Sequence, residues 1–335
     1  MMKRVLSATT ACLLLFCGVS AAYPPVYTGK LRGTPDLCQA DKAARLPRGG
    51  KGFCAPVAVS NSLVWLARNG YPDLLPKNAN RRMTQPQLAA LLGKPGYMDT
   101  SGDLGTSPTD LLTGVSRFLG ERGYVYEYLA YQGWREHPAA MSGKSETPEI
   151  DWIKDGLVGD SAVWLNVGWY AYDPMTEIYE RVGGHWVTLV GYGVDRKGQA
   201  NPEILIIHDP STRSARPKPG NAAELPRKAQ QPPASLTAPS EATPATRAAR
   251  PPRMPASQPV RHDFVRFVPM SAGTLRSREL KLKRSAVGFF RINGITSLEK
   301  EADIAILDGA VVLRMQKSQK ADLPLPAQYP PLPAS

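Results

Sequence analysis

Apolar residues recur at helical spacing in the first half of the chain. Val59, Leu63 and Leu66 lie four and three residues apart, so they fall on one stripe of a helix. Pro56 at the start of this segment and Gly70 just beyond its end are typical of the two termini of a helix. The pattern predicts helices over 56–68, 85–92 with Thr84 as its cap, 108–119 after Ser107, and a shorter one over 151–157.

Alternating and continuous apolar runs dominate the second half and predict β-strands. These strands cover 124–129, 162–167, 185–192, 204–207, 264–268, 286–292, 304–307 and 310–313. Asp308-Gly309, between the last two runs, is a strong signal for a two-residue hairpin. Helices followed by strands predict an α+β fold, with N-terminal helices packed on an antiparallel sheet that the C-terminal strands complete.

The N-terminus has the features of a secretory signal peptide. Lys3 and Arg4 precede a short apolar run that ends in the small residues Ser20-Ala21-Ala22. The run is too short to span a bilayer as a helix, and no later segment is long and apolar enough to do so. We therefore expect cleavage near residue 22 and secretion or export to the periplasm, with no stable membrane span. Cleavage removes Cys12 and Cys17 and leaves Cys38 and Cys54 in the mature chain.

The formal net charge of +12 is concentrated in one segment. Residues 213–261 contain nine Lys or Arg against two Glu, a net charge of +7, together with eleven prolines and no aromatic residue. Such a segment cannot bury enough apolar surface to offset its ordering entropy, which predicts a disordered Pro-, Ala- and Arg-rich insertion. The mature chain outside it carries only about +3, and the segment has no aromatic residues on which bases could stack. We therefore expect no nucleic-acid partner.

Three residues carry the candidate chemistry. Cys54 lies at the start of the first predicted helix, where unpaired N–H groups and the helix dipole lower a thiol pKa. His185 follows 131 residues later on a predicted strand, and Asp209 ends the next strand. A thiol, an imidazole and a carboxylate in this order are the parts of a cysteine nucleophile, its base and the group that orients the base. Taken alone, His185 also fits a hydrogen-bonded core position, and Asp209 also fits a turn before Pro210.

The segments around these residues resemble the motifs of a known enzyme family. The three segments are 53–61 (FCAPVAVSN), 184–192 (GHWVTLVGY) and 208–210 (HDP), and two further similar segments are 84–92 (TQPQLAALL) and 105–112 (GTSPTDLL). They are similar to those of papain-like cysteine peptidases, in particular the bacterial branch related to the peptidases that process bacteriocin leaders at double-glycine sites. The similarity covers roughly residues 35–210.

The resemblance implies a papain-like fold and an exported cysteine peptidase acting on a peptide or protein substrate. It implies that Cys54 is the nucleophile, His185 the base and Asp209 the orienting group. It also implies an oxyanion-binding glutamine, for which the candidate is Gln39, fifteen residues before Cys54 and separated from it by a loop rich in Lys, Arg and Gly. The chain departs from the family at Ala55, where the family usually has glycine after the cysteine.

The predicted organisation has six parts. They are a signal peptide over 1–22, an N-terminal segment over 23–46, a papain-like catalytic domain over 47–212, the insertion over 213–261, C-terminal strands over 262–316 and a loose Pro-rich tail over 317–335. No Cys, His and Asp spacing is typical of a zinc site and no Gly-rich phosphate loop is present, so no cofactor is expected.

Two alternatives stay open at this point. A cell-wall amidase or endopeptidase acting on cell-wall peptides would use the same three residues. A catalytically silent binding module would instead join Cys38 and Cys54 in a disulfide, which could stabilise the fold by roughly 3 kcal/mol. Neither the substrate nor the oligomeric state follows from the sequence.

Overall fold

The computed structural model describes residues 23–75, 77–78, 81–211, 260–295 and 301–317. The predicted signal peptide over 1–22, nearly all of the insertion over 213–261 and the tail after residue 317 lie outside the described residues. Those three expectations therefore stay predictions.

The four predicted helices are present, each within a few residues of its expected bounds. They are α1 (Cys54–Arg68), α2 (Gln85–Leu92), α3 (Pro108–Glu121) and α4 (Ile150–Leu157). Thr84 forms a capping box with Gln87 at the start of α2. The Ser107 side chain accepts from the Asp110 amide at the start of α3. Local capping chemistry thus fixes where both helices begin.

The strands are more extensive than the sequence pattern predicts. They are β1 (Lys77–Asn78), β2 (Arg81–Arg82), β3 (Tyr126–Gly133), β4 (Ser161–Asp173), β5 (Ile178–Val194), β6 (Ala200–His208), β7 (Asp263–Pro269), β8 (Thr274–Ser277), β9 (Leu282–Ser285), β10 (Phe290–Asn293) and β11 (Ile304–Met315). Within the part of the chain that the structure describes, β1 and β2 pair with each other and with no other strand. The short strands β8 and β9 were not predicted, because neither has a clear apolar alternation.

Six of these strands form a closed antiparallel barrel. β4 pairs with β5, β5 with β6, β6 with β7, β7 with β10 and β10 with β11, and β11 returns to β4. β3 lies beside β11, and β8 and β9 extend the sheet from β5. The predicted α+β class is correct, and the strands after residue 262 belong to this same sheet.

Successive residues of β5 face two different cores. Trp186 packs with α1, α3 and one face of the sheet, together with Leu63 and Trp164. Val187 and Leu189 pack in a second core with the strands of the barrel. This alternation is the ordinary consequence of the two-residue period of a strand, and it fixes the register of β5 beneath α1.

The predicted hairpin at Asp308-Gly309 is wrong. Both residues lie inside the twelve-residue strand β11, and the register with β4 shifts between Leu307 and Gly309, which is a β-bulge. Asp308 is fully buried and accepts hydrogen bonds from Arg181 and Trp134, at 2.8 and 2.9 Å, and from the Tyr170 hydroxyl. These distant donors hold Asp308 in the strand, and they outweigh the local turn preference of the dipeptide.

The predicted strand over 286–292 is also partly wrong. Residues before Phe290 form a turn in which the Phe289 amide donates to Ala286 at 3.1 Å, and Gly288 adopts a φ of +90°. Only β10 continues as a strand, and it pairs with β7. The apolar run is therefore explained by burial of Ala286 and Phe289 in a small separate core rather than by strand pairing.

Candidate active site

Cys54 is the first residue of α1 and is 8% exposed. Polar contacts hold this helix against the sheet. The Thr188 hydroxyl on β5 donates to the Ala58 carbonyl at 2.8 Å, and the Asn61 amide donates to the Thr188 oxygen at 3.2 Å. Because these polar groups are buried, each needs its hydrogen-bond partner, and the two hydrogen bonds fix the position of α1 along β5.

His185 lies inside β5 and meets Asp209, which directly follows the neighbouring strand β6. The Nε2 atom of His185 on β5 lies 2.7 Å from Oδ1 of Asp209, which follows β6 directly. The same oxygen of Asp209 accepts from the Ser211 amide at 2.8 Å. The imidazole hydrogen-bonds Cys54 as well, and since Nε2 is taken by Asp209, its Nδ1 is the nitrogen that faces the thiol. The structure thus brings together three residues that are far apart in the sequence.

The pKa shifts of Cys54, His185 and Asp209 favour the charged forms of all three residues. Burial alone would raise the pKa of the Cys54 thiol, but the hydrogen bond and charge of His185 and the amides of Trp186 and Ala55 lower it below its usual value. Burial would lower the pKa of His185, but the Asp209 carboxylate and Cys54 raise it to about 10. Burial would also raise the pKa of Asp209, but His185 and Ser211 lower it. The arrangement favours a thiolate beside an imidazolium, which is the reactive form of a nucleophilic cysteine.

Trp169 covers the imidazole. Its ring stacks on His185 with centroids 6.1 Å apart and an angle of 23° between the planes, and the residue is 5% exposed. An aromatic face beside a protonated imidazole stabilises the cation. The sequence analysis did not single out Trp169, because its position in a buried strand is typical of core tryptophans.

Gln39 lies between the segments that carry Cys54 and Asp209. Its backbone amide donates to the Pro210 carbonyl at 2.8 Å, and its side-chain Nε2 donates to the Gly50 carbonyl at 3.1 Å. Gly50 has no room for a side chain, because a Cβ there would lie 1.7 Å from the Gln39 carbonyl oxygen. The loop between Gln39 and Cys54 therefore folds back, so that Gln39 contacts Gly50, eleven residues later in the chain.

His208 anchors the segment that carries Gln39. Its Nδ1 contacts the Pro35 carbonyl at 2.9 Å, and its Nε2 contacts Nδ1 of His262 at 2.9 Å. Both histidines are buried. Cys38, Gln39 and their neighbours are thus tied to the barrel immediately beside Asp209.

The Cys38–Cys54 disulfide of the silent-module alternative is not formed in this structure. Both cysteines are buried free thiols. The Cys38 Sγ lies 3.5 Å from the Ser211 carbonyl, whereas Cys54 contacts His185. The physical reason is that Cys38 lies in a turn that directs its sulfur to the Ser211 carbonyl, while the adjacent Gln39 side chain contacts Gly50.

A scan against models of protein families and searches of curated proteins and of solved structures found no match to this chain. What the site can do is therefore argued from its own geometry. Among the described residues, no group of three or more His, Cys, Asp and Glu side chains is arranged to hold a metal ion. None of the described helices combines the length and the apolar character needed to cross a membrane.

A buried ion pair supports the strand that carries His185. The side chains of Arg181 and Asp308 are 7% and 0% exposed, and the guanidinium lies against the backbone of Gly184. A Cβ on Gly184 would lie 2.2 Å from the guanidinium, and one on Gly168, its partner on β4, would lie 2.5 Å from the Asp308 carboxylate. The glycine before His185 thus makes room for Arg181. No short motif marks this ion pair, since its two members lie 127 residues apart.

Proposed function

We propose that the chain is an exported, papain-like cysteine peptidase that hydrolyses amide bonds through Cys54. The observation that carries this proposal is the continuous contact from Asp209 through His185 to Cys54, with pKa shifts that favour the thiolate and the imidazolium. The location of the thiol at a helix N-terminus adds to the same effect. The signal-like N-terminal sequence supports export.

In the first half of the reaction the Cys54 thiolate attacks the carbonyl carbon of the substrate amide. The carbonyl electrons move to oxygen, and donors beside Cys54 stabilise the resulting oxyanion. When the carbonyl reforms, the carbon–nitrogen bond breaks and the imidazolium of His185 donates its Nδ1 proton to the leaving amine. The products are a free amine and a thioester on Cys54, with His185 now neutral.

In the second half a water molecule attacks the thioester while Nδ1 of His185 accepts its proton. Collapse of this intermediate breaks the carbon–sulfur bond and releases a carboxylic acid. The thiolate and the imidazolium are restored, and the net change is one amide and one water converted to an acid and an amine. Asp209 keeps its negative charge throughout and stabilises the imidazolium.

Gln39 fits the role of an oxyanion donor. A carboxamide nitrogen carries two N–H groups, and one of these is used by the Gly50 carbonyl. The Gly50 carbonyl lies four residues before Cys54, so this hydrogen bond places the Gln39 side chain beside the turn that leads into α1. In this proposal the Cys54 amide at the start of α1 is the second donor.

The proposal is tested by labelling native, non-reduced protein with iodoacetamide near pH 6. An ordinary thiol is less than about 1% thiolate at that pH, so fast reaction requires a lowered pKa. We expect rapid modification of Cys54 and slow modification of Cys38, which serves as an internal control. Equal rates at the two cysteines, mapped by mass spectrometry, would remove the basis of the proposal.

The Asp209→Asn variant is expected to lose activity on the alkaline side. The reactive pair requires protonated His185, and that proton is lost as the pH rises through the His185 pKa of about 10. Removing the Asp209 charge lowers this pKa, so the alkaline limb of kcat/KM against pH should move down by about one unit or more. Asp195→Asn is the matched control, because Asp195 caps a turn away from His185. An unmoved alkaline limb in Asp209→Asn would show that Asp209 does not hold the imidazolium.

The Gln39→Ala variant is expected to reduce kcat by about 10²–10³-fold, since one oxyanion donor is lost. Its rate of iodoacetamide labelling at Cys54 should not change, because alkylation develops no oxyanion. Gln199→Ala, at an exposed position, is the control. Parent-like hydrolysis by Gln39→Ala would mean that other donors bind the oxyanion.

A further inference from the structure

A cavity lies away from the Cys54 group, between the end of β3 and the hairpin of β8 and β9. Its volume is about 360 Å³, which falls within the range of small-molecule sites. We call it the Arg135 cavity. Its lining includes Trp134, Arg135, Glu146, Leu280, Leu282 and Arg284. They combine apolar walls with two guanidinium groups.

The charge of Arg135 is incompletely balanced. Its Nε atom is buried and has no hydrogen-bond acceptor among the described residues. The nearby Asp308 carboxylate is bound by Arg181, Trp134 and Tyr170. Burial and the charge of Arg181 lower the pKa of Arg135, and Asp308, Tyr131 and Glu279 offset this only in part. A guanidinium whose buried Nε lacks an acceptor is costly, so an anion at this position would stabilise the protein.

The other charges of the cavity do not supply that anion. Glu146 is paired with Arg284. Glu136, which also lines the cavity, is exposed to solvent. An incoming anion would therefore face Arg135 on its inner side, and the Glu146–Arg284 ion pair and the solvent-exposed Glu136 on its outer side.

The remaining walls favour an apolar body on the ligand. Leu282 is 37% exposed, Leu280 is half-buried, and Trp134 forms a buried wall. Such apolar surface is stabilised when a hydrophobic group covers it. A guanidinium behind apolar walls suits a carboxylate joined to a short apolar group, because the carboxylate can accept two parallel hydrogen bonds.

We propose that the Arg135 cavity binds the carboxylate end of a molecule with a short apolar body. Arg135 pairs with the carboxylate, and Leu280 and Leu282 contact the apolar part. Two sources share this chemistry, namely a short fatty acid and the C-terminal residue of a peptide. The site is independent of the Cys54 chemistry, and its test does not require hydrolysis.

The test is calorimetric titration of the Cys54→Ala protein, in which the proposed nucleophile cannot consume a peptide, with four probes. Hexanoate and N-acetyl-alanyl-leucine carry the carboxylate, and hexanamide and N-acetyl-alanyl-leucine amide are the matched neutral probes. We expect at least one carboxylate to bind about tenfold or more tightly than its amide, since a hydrogen-bonded charge pair is lost in the amide. Binding of hexanoate but not of the dipeptide would indicate a fatty acid as the ligand. Binding of the dipeptide but not of hexanoate would indicate a peptide C-terminus.

In the Arg135→Gln variant of the same protein, carboxylate affinity should fall by a similar factor. Arg266→Gln, which removes a surface guanidinium paired with Glu203, should leave it unchanged. If Arg135→Gln does not fold, Leu282→Asp places a repelling charge at the exposed rim and should abolish carboxylate binding. Equal affinity for acids and amides, no saturable binding of either acid, or unchanged binding when the cavity is altered would each overturn the proposal.

Discussion

Replacing Cys54 with alanine is expected to reduce amide hydrolysis by about 10⁴-fold or more, because no other group at the site can form the thioester. The fold should survive. Cys54 is at the first turn of α1, alanine is a good helix former, and only one buried sulfur is removed. The measurement is kcat/KM on a peptide substrate together with a thermal unfolding curve for each protein.

Cys38→Ala is the matched control for this variant. Cys38 is also a buried free thiol, and its sulfur contacts the Ser211 carbonyl rather than the imidazole. Its loss should leave hydrolysis close to that of the parent. Activity that persists in Cys54→Ala and disappears in Cys38→Ala would show that Cys38, not Cys54, is the nucleophile. Activity that persists in both variants would reject thiol chemistry.

Replacing Asp308 with alanine is expected to lower the free energy of unfolding by about 3–5 kcal/mol, which is the usual cost of removing one partner of a buried ion pair. Asp308 is fully buried, and its loss leaves the Arg181 guanidinium, also buried, without its carboxylate. Trp134 and Tyr170 lose their acceptor at the same time. Urea unfolding of the purified protein, followed by tryptophan fluorescence, measures the effect.

Two further variants separate charge from packing. Asp103→Ala breaks the ion pair with Lys51. The Lys51 and Asp103 side chains are 68% and 87% exposed, so this variant should change the free energy of unfolding little. The double variant Arg181→Met with Asp308→Leu removes both charges and should be more stable than Asp308→Ala alone. If Asp308→Ala is as stable as Asp103→Ala, the ion pair is not what holds β4, β5 and β11 together.

The candidate site shows which kinds of residue a sequence can indicate. Cys54, His185 and Asp209 each stand at a recognisable local position, namely the start of a helix, a buried strand and the end of the next strand. Local spacing and chemical type were enough to group them. Gln39 could be named only through the resemblance, because nothing local links it to Cys54, and the folded-back loop that joins them depends on Gly50 fitting against the Gln39 carbonyl.

By itself the sequence determined the four helices and the succession of strands that make the fold α+β, because capping residues and apolar periodicity act over a few residues. It also determined which thiol, imidazole and carboxylate are candidates for one site. Only the tertiary structure decided that Asp308 lies in a strand rather than a turn, that Trp169 covers His185, and that the two cysteines stay apart. Each of these outcomes depends on contacts between segments that folding brings together, and pairings between distant residues leave no pattern in the local sequence.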